Sequence, residues 1–348
     1  MTFALSSASG TRAGSVGLFW TGVAIAAPLL VIVSLATGRY EIPLHHVAAI
    51  LLRHVVPLEV IWSVPEERVV ELIRLPRILV ACLAGAGLAM AGAALQGVFR
   101  NPLVGPQIIG VSSGAAFGGA LAILLFESAL ITVGFAFAAG LLAIVIVYLM
   151  SRISRHSPIL LLVLAGVVTS AFFSALISLI KFVADPDNKL PTIVYWLMGS
   201  LASVSWSDVA ILGAPTLLGG ALIYGLRFRI NVLSLGEEEA HSLGIPVEPT
   251  RWLILGAVAL ISAAVVAVAG VIGWVGLVMP HLARMIVGPD HRTLLPASAA
   301  VGALYLLLID DVARTATAAE IPLGIITAII GAPVFAILLR RTHAAGWR

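Results

Sequence analysis

WLILGAVALISAAVVAVAGVIGWVGLVMPHLA, residues 252–283, is the stretch whose reading decides the fold, because 32 consecutive positions carry no Asp, Glu, Lys or Arg. One helix crosses a hydrocarbon core of roughly 30 Å with about 20 apolar residues, so this run is too long for a single span. Gly270, Gly273, Gly276 and Pro280 crowd its second half. It is therefore read as two helices, the second short, with Pro280 and His281 as helix-break and inner-surface residues.

Outward from that stretch, uncharged windows recur at 17–37, 78–99, 101–126, 128–151, 157–180, 209–226, 293–309 and 321–339. With 252–283 divided, the expectation is ten spans and an all-α integral membrane protein forming one domain over 1–348. Hydrophobic residues make up 60% and charged residues 11% of the chain, whereas soluble domains are about a quarter charged. The first window follows Arg12 and is longer than a signal-peptide core, so it is read as a retained helix.

An even number of spans puts both termini on one side. Twelve of the 20 Lys and Arg fall in the loops of that side and eight on the other, so both termini are expected in the cytoplasm. The pI of 9.3 does not signal nucleic acid, since the cations are scattered over loops and form no face; anionic lipid headgroups account for them. Cys82 is the single cysteine, which excludes a disulfide framework and cysteine-based zinc sites.

The stretch 38–77 mixes apolar and charged positions as interfacial helices of an outer loop do. His45, His46 and His54 fit such an exposed helix better than haem ligation. Gly110, Gly114 and Gly118 recur every four residues, the spacing of a single helical stripe against which a neighbouring backbone packs closely. Two sets of five helices would form an inverted repeat; the ten-residue separations Gly92 to Pro102 and Gly270 to Pro280 are thin support for it.

A concentrating transporter needs energy, yet no G-x-x-x-x-G-K-[ST] phosphate loop is present and neither lysine follows a glycine. Ion-coupled transporters place ionisable groups inside their spans. Here Asp310, Asp311 and Arg314 lie near one predicted end and His281 near the other, which favours energy from a separate subunit over a self-sufficient ion-coupled carrier. No paired catalytic groups converge, so the polypeptide is read as no enzyme, with no cofactor or metal. The inner loop 227–251 holds LSLGEEEAHSLG (233–244 with Leu233 first), in which Gly236 and Gly244 bracket a short helix. Glu237, Glu238 and Glu239 crowd its positive N-terminal end. As a bare pattern this is equally an ordinary solvated loop helix.

Several blocks in order give the chain a family resemblance: RLPR at 74–77, GLAMAGAALQGVFRNPLVGPQIIGVSSGA at 87–115, YWLMGSL at 195–201, LGEEEAHSLGI at 235–245, GVIGWVGLVMPHLAR at 270–284, GPDHRTLLP at 288–296, DDVAR at 310–314 and EIPLGIITAIIGAPVF at 320–335. Over residues 74–341 it resembles the FecCD-type permeases of ATP-binding-cassette importers, which carry iron chelates, haem and cobalamin. The resemblance implies a ten-span, inverted-repeat type II importer fold in the bacterial inner membrane. It further implies a homodimer with the path between subunits, two ATPase subunits beneath, and a periplasmic binding protein above. By resemblance, the helix of Gly236, Glu237, Glu238, Glu239, Ala240, Leu243 and Gly244 couples to the ATPase, and Arg74, Arg77 and Arg314 receive carboxylates of the binding protein. The intramolecular alternative for each arginine is an ion pair or headgroup snorkelling. Gln96 and Asn101 are read as structural, the first linking helices and the second turning the chain before Pro102. The expected cargo is haem or a ferric siderophore, with cobalamin as the alternative.

Overall fold

The computed structural model describes residues 4–57, 59–152 and 158–344. Its helices are α1 (Ala4–Ala36), α2 (Leu44–Leu52), α3 (Val64–Arg68), α4 (Leu75–Val98), α5 (Val111–Leu125), α6 (Ala129–Ser151), α7 (Pro158–Val183) and α8 (Lys189–Leu197). They continue with α9 (Trp206–Gly225), α10 (Arg227–Leu233), α11 (Glu237–Ser242), α12 (Val247–Ala269), α13 (Val275–Val287), α14 (His291–Thr315) and α15 (Leu323–Ala344). No strand occurs among the described residues. Seven helices are long and apolar enough to cross a membrane, and Val111–Leu125, Val275–Val287 and Leu323–Leu338 are shorter apolar helices.

The 252–283 run divides as expected, but at 270–274 and not at Pro280. Gly270 (φ +69°) and Trp274 (φ +68°) take left-handed backbone, which ends α12 and restarts the chain as α13. Pro280 lies buried within α13. Its missing N–H withdraws the helical donor from the Gly276 carbonyl, and that oxygen faces α4, where a Cβ on Gly92 would sit 1.7 Å from it. Proline thus permits a backbone contact between α4 and α13 instead of breaking a helix.

Other irregular backbone meets the same break. Ser200 N–H donates to Ala269 O (2.9 Å), Leu323 N–H to Gly199 O (2.9 Å) and Gly324 N–H to Met198 O (3.0 Å). Three chain interruptions therefore satisfy one another, the condition under which non-helical backbone survives at membrane depth.

Two further expectations are corrected. Arg74 and Arg77 sit inside a continuous helical run from Val64 to Val98, not in a loop. Pro76 has no N–H to give the Leu72 carbonyl, and the wide turn Val69–Arg74, with Leu75 N–H on Val70 O, accommodates the mismatch. The 101–126 window supplies only α5, because Asn101 Oδ1 caps Leu103 N–H at 2.9 Å and Pro102, Gly105 and Pro106 hold the chain in turns. Gly110 is consequently not on a helical stripe. It is the left-handed residue before α5 (φ +78°) and packs on Thr169 of α7. Gly114 and Gly118 do share a face, against Ala139 and Phe135 of α6.

Helix α4 is the buried axis of the bundle. Gly85 and Gly302 of α14 oppose each other so closely that a Cβ on either would lie 2.2–2.3 Å from the other's carbonyl oxygen. Since α4 and α14 run antiparallel, Arg77 meets Asp310 at one end and Gly97 meets His291 at the other. Those two ends carry the candidate sites.

Candidate functional site

At the arginine end the three cations are buried and engaged. Arg77, 6% exposed, grips Asp310 through Nε (2.9 Å to Oδ2) and Nη2 (2.8 Å to Oδ1). It also holds Glu320 through Nη1 (3.1 Å) and Nη2 (2.9 Å). Arg314 donates to Asp311 Oδ1 from Nε (3.2 Å) and to Ser34 Oγ (2.9 Å), and Ser34 in turn donates to Asp311 at 2.7 Å. Arg74 has carbonyl partners only, those of Leu35, Ala36 (3.0 Å) and Tyr40.

The structure therefore brings all three predicted arginines together, in the intramolecular arrangement. They tie the C-terminal end of α1, the start of α4 and the end of α14 into one network. Gly38 (φ +145°) lies between Arg74 and Arg314, with room for a side chain on neither flank. Asp310 is 1% exposed. Glu320, with 21% of its side chain exposed, is the most accessible acid that Arg77 holds. The neighbouring histidines bind acids too: His46 Nδ1 lies 3.0 Å from Glu66 and His54 Nε2 2.8 Å from Glu71, joining α2 to the helix that follows it.

At the opposite end, α11 is a single exposed turn-and-a-half with defined stops. Gly236 (φ +155°) admits no side chain, because Glu239 Oε2 would be 1.8 Å from a Cβ there. At the C-terminus, Ile245 N–H bonds Ala240 O (2.9 Å) and Gly244 N–H bonds His241 O (2.9 Å), with Gly244 at φ +74°. This pair of bonds is a Schellman closure, which needs glycine at the left-handed position. Ala240 is buried beneath the helix, while Glu238, Glu239, His241 and Leu243 face out.

Arg251 fixes this element from below. Only 2% exposed, it reaches Glu237 at 2.6 Å with one nitrogen and Glu248 with the other. Trp252 Nε1 donates to Glu248 (3.2 Å) and stacks edge-on with Tyr148 of α6. Sequence reasoning counted Arg251 only as a loop cation; its (i, i+3) placement after Glu248 was the available signal.

Asn231 was missed entirely. Its side chain bonds Asp290 Oδ1 (2.7 Å) and accepts from His291 N–H (2.9 Å) and Nδ1–H (2.7 Å), anchoring α10 to the start of α14. Burial raises and the bonds from Arg292 N–H and Asn231 lower the Asp290 carboxyl, which ends below the usual carboxylate range. Nearby, Gln96 donates to Leu277 O (3.2 Å) and accepts from Arg284 (3.2 Å), cross-linking α4 to α13.

A helical bundle with buried charge at one end and a rigid exposed helix at the other matches one family model across residues 26–341. The chain belongs to the FecCD transport family. This is a family of permease subunits of ABC transporters. The chain is 44% identical to the molybdate import system permease MolB of Haemophilus influenzae, over 93% of this chain and 96% of that one. It is 44% identical to the cobalamin import system permease BtuC of Halobacterium salinarum, over 84% and 79% respectively. Among solved structures it superposes on a metal-chelate type ABC transporter in an inward-facing conformation, at TM-score 0.84 and 42% identity, covering 94% of this chain and 99% of that one.

Proposed function

We propose that this FecCD family member is one half of a homodimeric importer permease of ten spans arranged as an inverted repeat. It lies in the bacterial inner membrane with both termini in the cytoplasm, driven by two ATPase subunits and loaded by a periplasmic binding protein. The observation that carries this reading is α11: a helix of six residues, held rigid by two glycines and by Arg251, presenting acids and Leu243 to the side that the charge distribution assigns to the cytoplasm. Such an element transmits a push because it does not bend. Exposed Ser174, Ser178 and Lys181 on α7 support a water-filled path along that helix, since hydrocarbon disfavours such groups.

Docking of the binding protein is assigned to the arginine end. Because Arg77 is already held by Asp310 and Glu320, an incoming carboxylate takes the place of Glu320, the member that water reaches. The cargo reading is an iron chelate, haem or a ferric siderophore, supported by the metal-chelate transporter of the same fold. Cobalamin and molybdate are the second readings, each supported by a relative named for it. The decisive experiment is uptake into proteoliposomes with and without the ATPase and binding protein, offering ferric siderophore, haem, cobalamin and molybdate in turn. Uptake driven by an ion gradient without the ATPase would overturn the proposal.

A further inference from the structure

Helix α1 touches the bundle firmly only at its arginine end, where Ser34 and Leu35 are buried. From there it stands off the body, and a cavity of about 960 Å³ runs along it. On α1 the lining recurs at helical spacing from Ser15 through Phe19, Gly22, Ala26 and Leu30 to Val33. Opposite are α13, α14 and α15, with Met279, Val301, Leu308 and Val334 among the lining residues. Ser15 to Val33 is 18 steps of a helix, about 27 Å at 1.5 Å per residue, nearly the whole hydrocarbon thickness.

We propose that this groove is a structural lipid site, occupied by the acyl chains of membrane phospholipid that cement α1 to α13, α14 and α15. No water is available at that depth, and protein interiors are too close-packed to leave such a volume empty. The walls are almost entirely aliphatic and aromatic, which suits alkyl chains. A helix from a second copy does not fit: a cylinder about 10 Å across and 27 Å long occupies about 2,100 Å³, more than twice the cavity. The inference requires only that the chain spans a membrane, and stands whatever the cargo.

The test uses the full chain purified in dodecyl maltoside with palmitoyl-oleoyl phosphatidylglycerol as the only added lipid, read by native mass spectrometry. Gly22→Leu and Ala26→Leu each place a side chain in the groove; a Cβ at Gly22 has no heavy atom within 4 Å, so the substitution fills space without a clash. Gly134→Leu, on an exposed and equally unobstructed position of α6, is the control. The wild type and Gly134→Leu should retain phospholipid through gentle activation, and both groove variants should retain several-fold less at unchanged oligomeric mass. Equal retention in all four proteins, no retained lipid in the wild type, or a change of oligomeric mass in the groove variants would overturn the proposal, the last by pointing to a protein occupant.

Discussion

Replacing Arg77 by methionine separates a cation that holds the fold from one that only awaits a partner. Asp310 is 1% exposed, and its printed donors are Arg77 Nε and Nη2, in three contacts of 2.8–3.1 Å. Removing Arg77 leaves that carboxylate buried without its cation, an event that costs about 3–5 kcal/mol. Glu320 recovers water and adds little. The companion variant Asp310→Leu with Arg77→Met removes both charges, and exchange of a buried pair for apolar groups is often near neutral. A double-mutant cycle by SDS-driven equilibrium unfolding in mixed micelles should therefore show a large single loss that the double variant largely restores. Were Arg77 merely a landing residue, its loss would fall within about 0.5 kcal/mol, as surface changes do. A stable Arg77→Met protein, or a double variant no better than the single one, would refute the reasoning.

Other outcomes follow from the same geometry. Serine at Glu237, Glu238 and Glu239 together, or Arg251→Met alone, should lower copurification of the ATPase while leaving the bundle folded; unchanged copurification and transport would remove α11 from coupling. Arg77→Glu should weaken binding of the loaded binding protein most at low salt, where repulsion is unscreened, and leave basal ATP hydrolysis intact; unaltered affinity at low salt would remove the docking assignment. Gly114→Leu drives a side chain into Ala139 O, 2.7 Å from the Cβ position, and should cost about 1–3 kcal/mol in the same unfolding assay. Gly92→Ala, whose Cβ would lie 1.7 Å from Gly276 O, should be worse than Gly114→Ala; equal losses would show that α4 and α13 separate readily.

By itself the sequence determined what hydropathy and backbone chemistry determine. A chain that is 60% hydrophobic and 11% charged must give its surface to hydrocarbon, and 32 uncharged residues with clustered glycines must break once. The helix between Gly236 and Gly244 was legible for the same reason, since caps and glycine turns are local. Tertiary structure alone decided where the break falls, because Gly270 and Trp274 are held left-handed by contacts to residues 196–200, far off in sequence. It alone placed Gly110 at a helix start, Pro280 inside a helix and Arg77 between Asp310 and Glu320, partners 233 and 243 residues away. An arginine in a list of residues has no partner; whether it faces a carboxylate of its own chain or one from outside depends on which helices lie side by side, and that is settled by packing, not by pattern.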